Sequence, residues 1–302
     1  MASYPTVQEK DGDWIGPKYC LVHGVRISEW VADPNLGKDL EEFQTRKDDV
    51  FVVSYPKSGT TFVREVLWQI FHDGATSDEH LGKRVFFFDS LPLLNTNTTG
   101  RTSEPAREST SIKPVVDLLP SPRLLVSHLP YDIITKCKDN AASCKFIYIS
   151  RNPKDVAVSY FHFLTKLSGV FLKYFLQGKF AYNSWLDHVL GWWKQRHNPN
   201  VLFLKYEDMK KDLPTSVKAM AEFVEKPLTE EVIQRIAHQC SFAEMVKNPA
   251  SYQVFPGNDD VRFLRKGEIG DWKNHFTSDM NEQVETEFVA KLKEYGLEFD
   301  YS

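Results

Sequence analysis

The chain, residues 1–302, reads as one α/β domain: a central parallel β-sheet flanked by helices on both faces, with a strand-loop-helix of the phosphate-binding kind. Short β-branched, apolar runs alternate with longer stretches of helical period, the pattern of strands joined by crossover helices. With 302 residues, 42% of them hydrophobic, the chain can bury a single large core. No repeat of solenoid length is visible.

The residues 1–17 begin with a polar, acidic stretch and are expected to be flexible. Val50–Ser54 is the first strand of the parallel sheet, and Thr61–Phe71 follows it as a helix with Phe62, Val66 and Ile70 on one face. Further strands are expected at Leu124–Ser127, Phe146–Ser150 and Val201–Lys205, and further helices at Lys154–Leu164, Trp185–Arg196 and Leu213–Phe223. The Phe86-Phe87-Phe88 run and Trp192-Trp193 read as core or pocket wall. Two segments break the alternation. Asn95–Ser111, rich in polar residues around Gly100 and Pro105, reads as a long loop. Gly257–Gly270 sets Gly267 and Gly270 around Arg262, Arg265 and Lys266, so that backbone amides and cations can meet at one point.

The formal net charge of -4 gives no broad attraction for nucleic acid, so any anion site is local and no nucleic-acid partner is expected. No apolar run reaches bilayer length, and the first residues are not a basic segment followed by an apolar one. A cytoplasmic protein with no membrane partner is the expectation. Cys20, Cys137, Cys144 and Cys240 lack metal-ligand spacing and are expected to be reduced, with no metal site. Asn97-Thr98-Thr99 is read as an idle sequon.

Two segments carry chemistry. In Ser54-Tyr55-Pro56-Lys57-Ser58-Gly59-Thr60-Thr61 a strand runs into a helix: Gly59 permits a tight turn, helix amides and threonine hydroxyls point outward, and Lys57 adds charge. The lysine precedes the glycine, unlike the usual nucleotide-hydrolase loop, and a plain strand-to-helix turn stays open as the reading of this segment alone. In Ile149–Ser159 a second buried strand ends at Arg151, where open parallel sheets bind ligands. Ser159 follows two turns into the next helix, on a similar face to Asp155. Arg151 can grip a phosphate bidentately, while Pro153 would equally mark an ordinary helix start. His128 closes the strand Leu124–Ser127 and is a candidate general base; a lone histidine there is also a common packing residue.

Taken together and in order, these segments resemble the cytosolic sulfotransferase family. Tyr55–Thr61 is similar to its 5′-phosphosulfate loop and Arg151–Ser159 to its 3′-phosphate motif. Ser127-His128-Leu129-Pro130, Lys205-Tyr206-Glu207-Asp208 and Phe263–Gly267 followed by Gly270-Asp271-Trp272-Lys273 also match, and the likeness runs from about residue 18 to 299. The resemblance implies in-line transfer of a sulfuryl group, without a metal, from 3′-phosphoadenosine 5′-phosphosulfate (PAPS) to a hydroxyl or amine of a small, largely apolar acceptor. It implies that His128 is the general base, that Lys57 meets the bridging oxygen, and that Ser159 holds the 3′-phosphate with Arg151 and restrains Lys57. Ser58, Gly59, Thr60 and Thr61 would bind the 5′-phosphate, and Arg265, Lys266 and Gly267 would close on the 3′-phosphate. Tyr206, Cys240, Ser241 and Phe242 would line the adenine site with Phe62 stacking opposite, and Met245, Phe263 and Leu264 complete the donor-binding set. Val126, His128, Phe163, Leu93 and Pro56 are the acceptor-pocket candidates.

The sequence departs from the family at several points. Phe62 stands where tryptophan is usual, Cys240 where threonine is common, and Val126 where a lysine is often seen. The 95–111 loop looks longer, and the stretch between Phe163 and Trp185 shorter, than in phenol-type members. The family's dimer motif is represented by Lys273, Phe276, Thr277 and Glu282, with Ser278 in place of valine, so a homodimer is an expectation. A small-molecule kinase is the rival reading, since the strand ending at Glu207-Asp208 imitates a metal-binding strand. A nucleotide-binding protein of this fold without transfer activity is the third.

Overall fold

The computed structural model describes residues 4–29, 31–89, 112–134, 144–164, 170–251 and 264–302. Leu93, Phe263, Cys137, Asn97, Gly257, Arg262 and the 95–111 loop lie outside the described residues.

The strands are β1 (Thr6–Asp11), β2 (Trp14–Val22), β3 (Val25–Ser28), β4 (Val50–Ser54), β5 (Phe86–Phe87), β6 (Leu124–Ser127), β7 (Lys145–Ser150) and β8 (Val201–Lys205). The first three form an antiparallel sheet in sequential order, and the other five a second sheet in the order β5-β6-β4-β7-β8. Every pairing in the second sheet is parallel. Because β4 sits between β6 and β7, the chain leaves it toward one edge and later crosses to the other. The carboxyl ends of β6, β4 and β7 therefore flank a switch point, where a crevice opens. Register levels these ends, with Val53 opposite both Ser127 and Tyr148.

Strand alternation divides the core. Phe51, Val53, Leu125, Phe146 and Tyr148 face one side with Val156 and Tyr160 of the helix Pro153–Phe163 and Trp185 and Val189 of the helix Trp185–Trp193. Val50, Val52, Leu124, Val126, Ile147 and Ile149 face the other, under the helices Thr60–Phe71, Leu213–Phe223 and Glu230–Gln239. Both faces are covered, which is why these strands read as continuous apolar runs; each such side chain contributes about 1.5–3 kcal/mol. Arg123 at the start of β6 donates from Nε to Asp49 Oδ1 at 2.7 Å and from Nη2 to Asp49 Oδ2, both residues fully buried. This pair locks the entry of β4 to that of β6.

The strands Val50–Ser54, Leu124–Ser127 and Val201–Lys205 fall where the sequence sets them, and β7 begins one residue earlier, at Lys145. The helix at Trp185 stops at Trp193 rather than Arg196. Part of the segment 1–17, expected to be flexible, is instead built into β1 and β2. β1 shows only exposed and half-buried side chains in alternation, so no apolar face announces it, yet it pairs along β2 from Thr6 opposite Cys20 to Asp11 opposite Trp14. The Trp14 ring stacks on Tyr174 with centroids 4.8 Å apart.

Candidate active site

After β4 the segment Tyr55–Gly59 turns into the helix Thr60–Phe71. Lys57 at φ 71° and Gly59 at φ 109° are both left-handed, which folds the loop back on itself and presents the first helical amides to the crevice. A side chain at Gly59 would bring Cβ within 2.8 Å of the Tyr206 ring, so only glycine fits. The Thr60 and Ser54 hydroxyls lie 2.7 Å apart. Ser58 is fully buried beneath the loop, and its hydroxyl has no hydrogen-bond partner among the described residues.

After β7, Asn152 caps the next helix, its Oδ1 accepting from the Asp155 amide at 2.9 Å. The Asp155 carboxylate accepts from the amides of Gly270 at 2.9 Å and Trp272 at 3.0 Å, and from Asn152 Nδ2 at 2.9 Å. That anchor brings the segment 264–272 over the strand ends. Arg151 donates to the Glu268 carbonyl at 2.8 Å and lays its guanidinium 4.5 Å from the Tyr206 ring centroid. Arg265 and Lys266 both donate to Asp271, Lys266 at 2.6 Å. At Gly267, φ 67°, an added Cβ would lie 2.2 Å from the Phe242 ring. Burial first, then the charges of Arg151 and Arg265, pull the Lys57 ammonium down to about 7. Cations are thus crowded here beyond what the neighbouring carboxylates relieve.

His128 leaves β6 with its Nδ1 2.7 Å from the Ser54 carbonyl oxygen. A carbonyl only accepts, so Nδ1 carries the hydrogen and Nε2 keeps the lone pair. The main chain is held from both sides: its N–H donates to Asp89 Oδ2 at 2.8 Å, and its C=O accepts from His188 Nε2 at 2.9 Å. His188 Nδ1 in turn accepts from the Tyr148 hydroxyl at 2.9 Å. Burial, with smaller contributions from Arg64 and Lys57, holds His128 down to about 4 against the raising effect of the Ser54 carbonyl. His128 is therefore neutral at physiological pH.

One cleft gathers most of the expected residues. Pro56, Lys57, Gly59, Thr60, Thr61 and Phe62 come from the loop and its helix, with His128, Arg151, Ser159, Phe163 and Tyr206 beside them. Cys240, Phe242, Met245, Leu264, Arg265, Lys266 and Gly267 complete it. Lys57 Nζ lies 4.4 Å from the Phe163 ring centroid. Among the described residues, three expected ones are not on its wall. Ser241 caps its own helix, accepting from the Glu244 amide at 3.4 Å. Ser58 lies below the loop. Val126, an acceptor-pocket candidate, is corrected to a core position: it is fully buried in β6, on the face covered by the helix Thr60–Phe71.

The cleft also contains Phe87, from the aromatic run read as core or pocket wall, and Arg64, Tyr160, Tyr182, Lys210 and Glu268, which the sequence did not single out. Arg64 and Lys210 each stand four residues after an expected member, Thr60 and Tyr206, so helical spacing could have found them. Tyr182, at φ 65°, comes from a loop and carried no local signal. Of the dimer-motif residues, Lys273 and Glu282 are exposed, Phe276 is half-buried, and Thr277 accepts from the Met280 amide at 3.3 Å.

Comparison with known proteins agrees with this geometry. A sulfotransferase domain matches residues 47–296. The chain is 36% identical over 299 residues to the amine sulfotransferase of Oryctolagus cuniculus, covering 93% of each. It is 37% identical over 302 residues to sulfotransferase 1E1 of Homo sapiens, covering 93% of this chain and 96% of that one. It is similar in structure to retinol dehydratase in complex with androsterone and the inactive cofactor PAP, with a TM-score of 0.76 and 26% identity, over 99% of this chain and 93% of that one. A loop of this build, a cation cluster facing it and a match over 93% of the chain converge on one conclusion: the chain belongs to the sulfotransferase family.

Proposed function

We propose that the protein transfers a sulfuryl group from PAPS to the hydroxyl or amine of a small, largely apolar acceptor, with His128 as general base. The observation that carries this reading is a set of buried donors that no described residue receives. Ser58 Oγ, Arg151 Nε and Arg265 Nε have no partner among the described residues, and they surround a left-handed loop and a depressed lysine. A cation cluster facing the loop suits a donor that carries a 3′-phosphate as well as a 5′-phosphate. Ser58, Thr60, Thr61 and the loop amides would hold the 5′-phosphate, while Arg151, Ser159, Arg265, Lys266 and Gly267 would hold the 3′-phosphate. Phe62, Tyr206, Cys240, Phe242, Met245 and Leu264 offer the adenine a wall of rings and apolar groups. The bound donor supplies a sulfuryl group on a phosphate leaving group.

The remaining chemistry belongs to side chains already in place. Lys57 offers positive charge where the leaving phosphate gains negative charge. His128, held by the Ser54 carbonyl and neutral across the working range, takes the acceptor's proton at Nε2. Pro56, Phe87, Phe163 and Tyr182 enclose an apolar acceptor body. The test is twofold. 3′-Phosphoadenosine 5′-phosphate (PAP) is expected to raise the melting temperature strongly and ATP with magnesium little, and labelled phosphosulfate is expected to label phenols or amines. Equal stabilisation by the two nucleotides, or label transferred only from ATP, would replace the reading with a kinase.

A further inference from the structure

The cleft holds a guanidinium that sulfuryl transfer leaves unused. Arg64 is 2% exposed and lines the cleft one turn beyond Thr60. Its Nη2 donates to the Val85 carbonyl at 2.6 Å and the Leu81 carbonyl at 3.3 Å, and its face rests 4.7 Å from the Phe87 ring centroid. Its Nε–H meets no acceptor among the described residues. The adjacent carboxylate, Glu65, is turned to Arg84 at 2.9 Å in a fully buried pair. Arg64 therefore keeps a charge that two neutral carbonyls do not cancel and an N–H that no described residue receives.

That position is on the acceptor side. Phe87, which carries the guanidinium, lies 5.6 Å from the His128 ring, and the charge of Arg64 reaches His128. Burial and the nearby Arg84 also pull the Arg64 guanidinium down to about 9, outweighing the raising charge of Glu65, the direction expected of a cation short of negative charge. A buried cation in this condition is costly until a ligand supplies the missing charge, and a carboxylate oxygen can accept the Nε–H that the two carbonyls leave over.

We infer that Arg64 determines acceptor specificity by receiving a carboxylate, so that the preferred acceptor is an apolar hydroxy acid or amino-substituted acid. The hydroxyl or amine meets His128, the apolar body packs on Phe87, and the carboxylate fills the Nε–H side of Arg64. The inference rests on the sulfuryl-transfer reading and narrows its substrate class. Only a site built to bind the carboxylate rejects an analogue lacking it by a wide margin, because the guanidinium is then left desolvated and unpaired.

The test uses matched acceptors: 3-(4-hydroxyphenyl)propanoate against its methyl ester, and 4-aminophenylacetate against its methyl ester. In each pair the spacer insulates the ring, so hydroxyl or amine acidity is nearly equal. Two measurements are made, kcat/KM with PAPS and calorimetric binding to the PAP-loaded protein. At least one acid is expected to exceed its ester by about tenfold or more, and Arg64→Gln to cut the acid at least tenfold more than the ester. Equal handling of both members of every pair by the wild type would overturn the inference. So would a uniform loss in Arg64→Gln, which would leave Arg64 as a clamp on the Leu81 and Val85 carbonyls, or a loss confined to PAP affinity, which would move it to the donor site. If no acceptor is labelled and PAP does not bind, the transfer reading itself fails. Acid-against-ester binding to the protein alone still decides the inference on Arg64.

Discussion

Acidification from pH 6.5 to 4.5 sets a buried histidine against a buried carboxyl in this protein. His188 is 2% exposed between the Tyr148 hydroxyl and the His128 carbonyl, and burial holds it down to about 3. In the unfolded chain it titrates near 6.5. Below that pH the unfolded state takes up a proton that the folded state refuses, so stability falls by about 1.4 kcal/mol per pH unit. Asp89 runs the other way. It is fully buried, burial lifts it to about 6, and the folded state takes its proton first, adding a similar slope of opposite sign as pH falls toward the unfolded value. His188→Gln retains an N–H for the His128 carbonyl and removes the titration. Relative to wild type it is expected to gain about 2 kcal/mol between pH 6.5 and 4.5, while Asp89→Asn is expected to lose about 2 kcal/mol over the same window. Urea unfolding at pH 6.5, 5.5 and 4.5 reads both differences directly, provided the slope with denaturant is unchanged. A variant-minus-wild-type difference that does not move with pH would refute the reasoning for that residue.

His128→Ala should lower kcat by roughly 10²- to 10⁴-fold while PAP affinity barely changes, and acidic phenols should lose less than aliphatic alcohols. Equal losses across acceptor acidity would leave His128 an orienting residue. Gly267→Ala places a Cβ 2.2 Å from the Phe242 ring at a left-handed φ, so PAP affinity should drop with little change in the unfolding midpoint of the ligand-free protein. An unaltered dissociation constant would show that the loop yields freely. Arg265→Ala should weaken PAP by about 1.5–3 kcal/mol, the range for a hydrogen bond to a charged group, as measured by calorimetry. Asp49→Ala leaves Arg123 only the more exposed Asp117 carboxylate at 3.5 Å and should cost about 3 kcal/mol in denaturant unfolding, a loss far from the cleft that serves as a control.

The parallel sheet was readable because burial on both faces leaves no polar alternation: all of β4 and β6 are apolar apart from their terminal serines. The same logic hid β1, whose side chains are nowhere fully buried, and β5, whose two residues are too few to show a period. Lys57, Gly59 and Arg151 were legible since each sits where a strand meets a helix, and residue type there is dictated by turn geometry and charge. Val126 was misplaced because nearness to His128 along the chain says nothing about which helix covers its face. Arg64 escaped notice for a different reason: an arginine on an amphipathic helix looks like a solvated residue until the chain segment Leu81–Val85 is seen packed over it.

The Asp155 carboxylate reaches across 115 residues of sequence to the Gly270 amide, and this fixes when the donor cradle comes into being. Such a contact closes a longer loop than any pairing within the parallel sheet and is expected to form after them. Until the segment 264–272 docks, the cleft holds Lys57 and Arg151 but lacks Arg265 and Lys266. A nucleotide therefore has little to grip in the folding transition state, and its binding energy is gained almost wholly after that point. Saturating PAP should slow unfolding while leaving the refolding rate nearly constant, making the ligand a brake on loss of the structure rather than a guide to its formation.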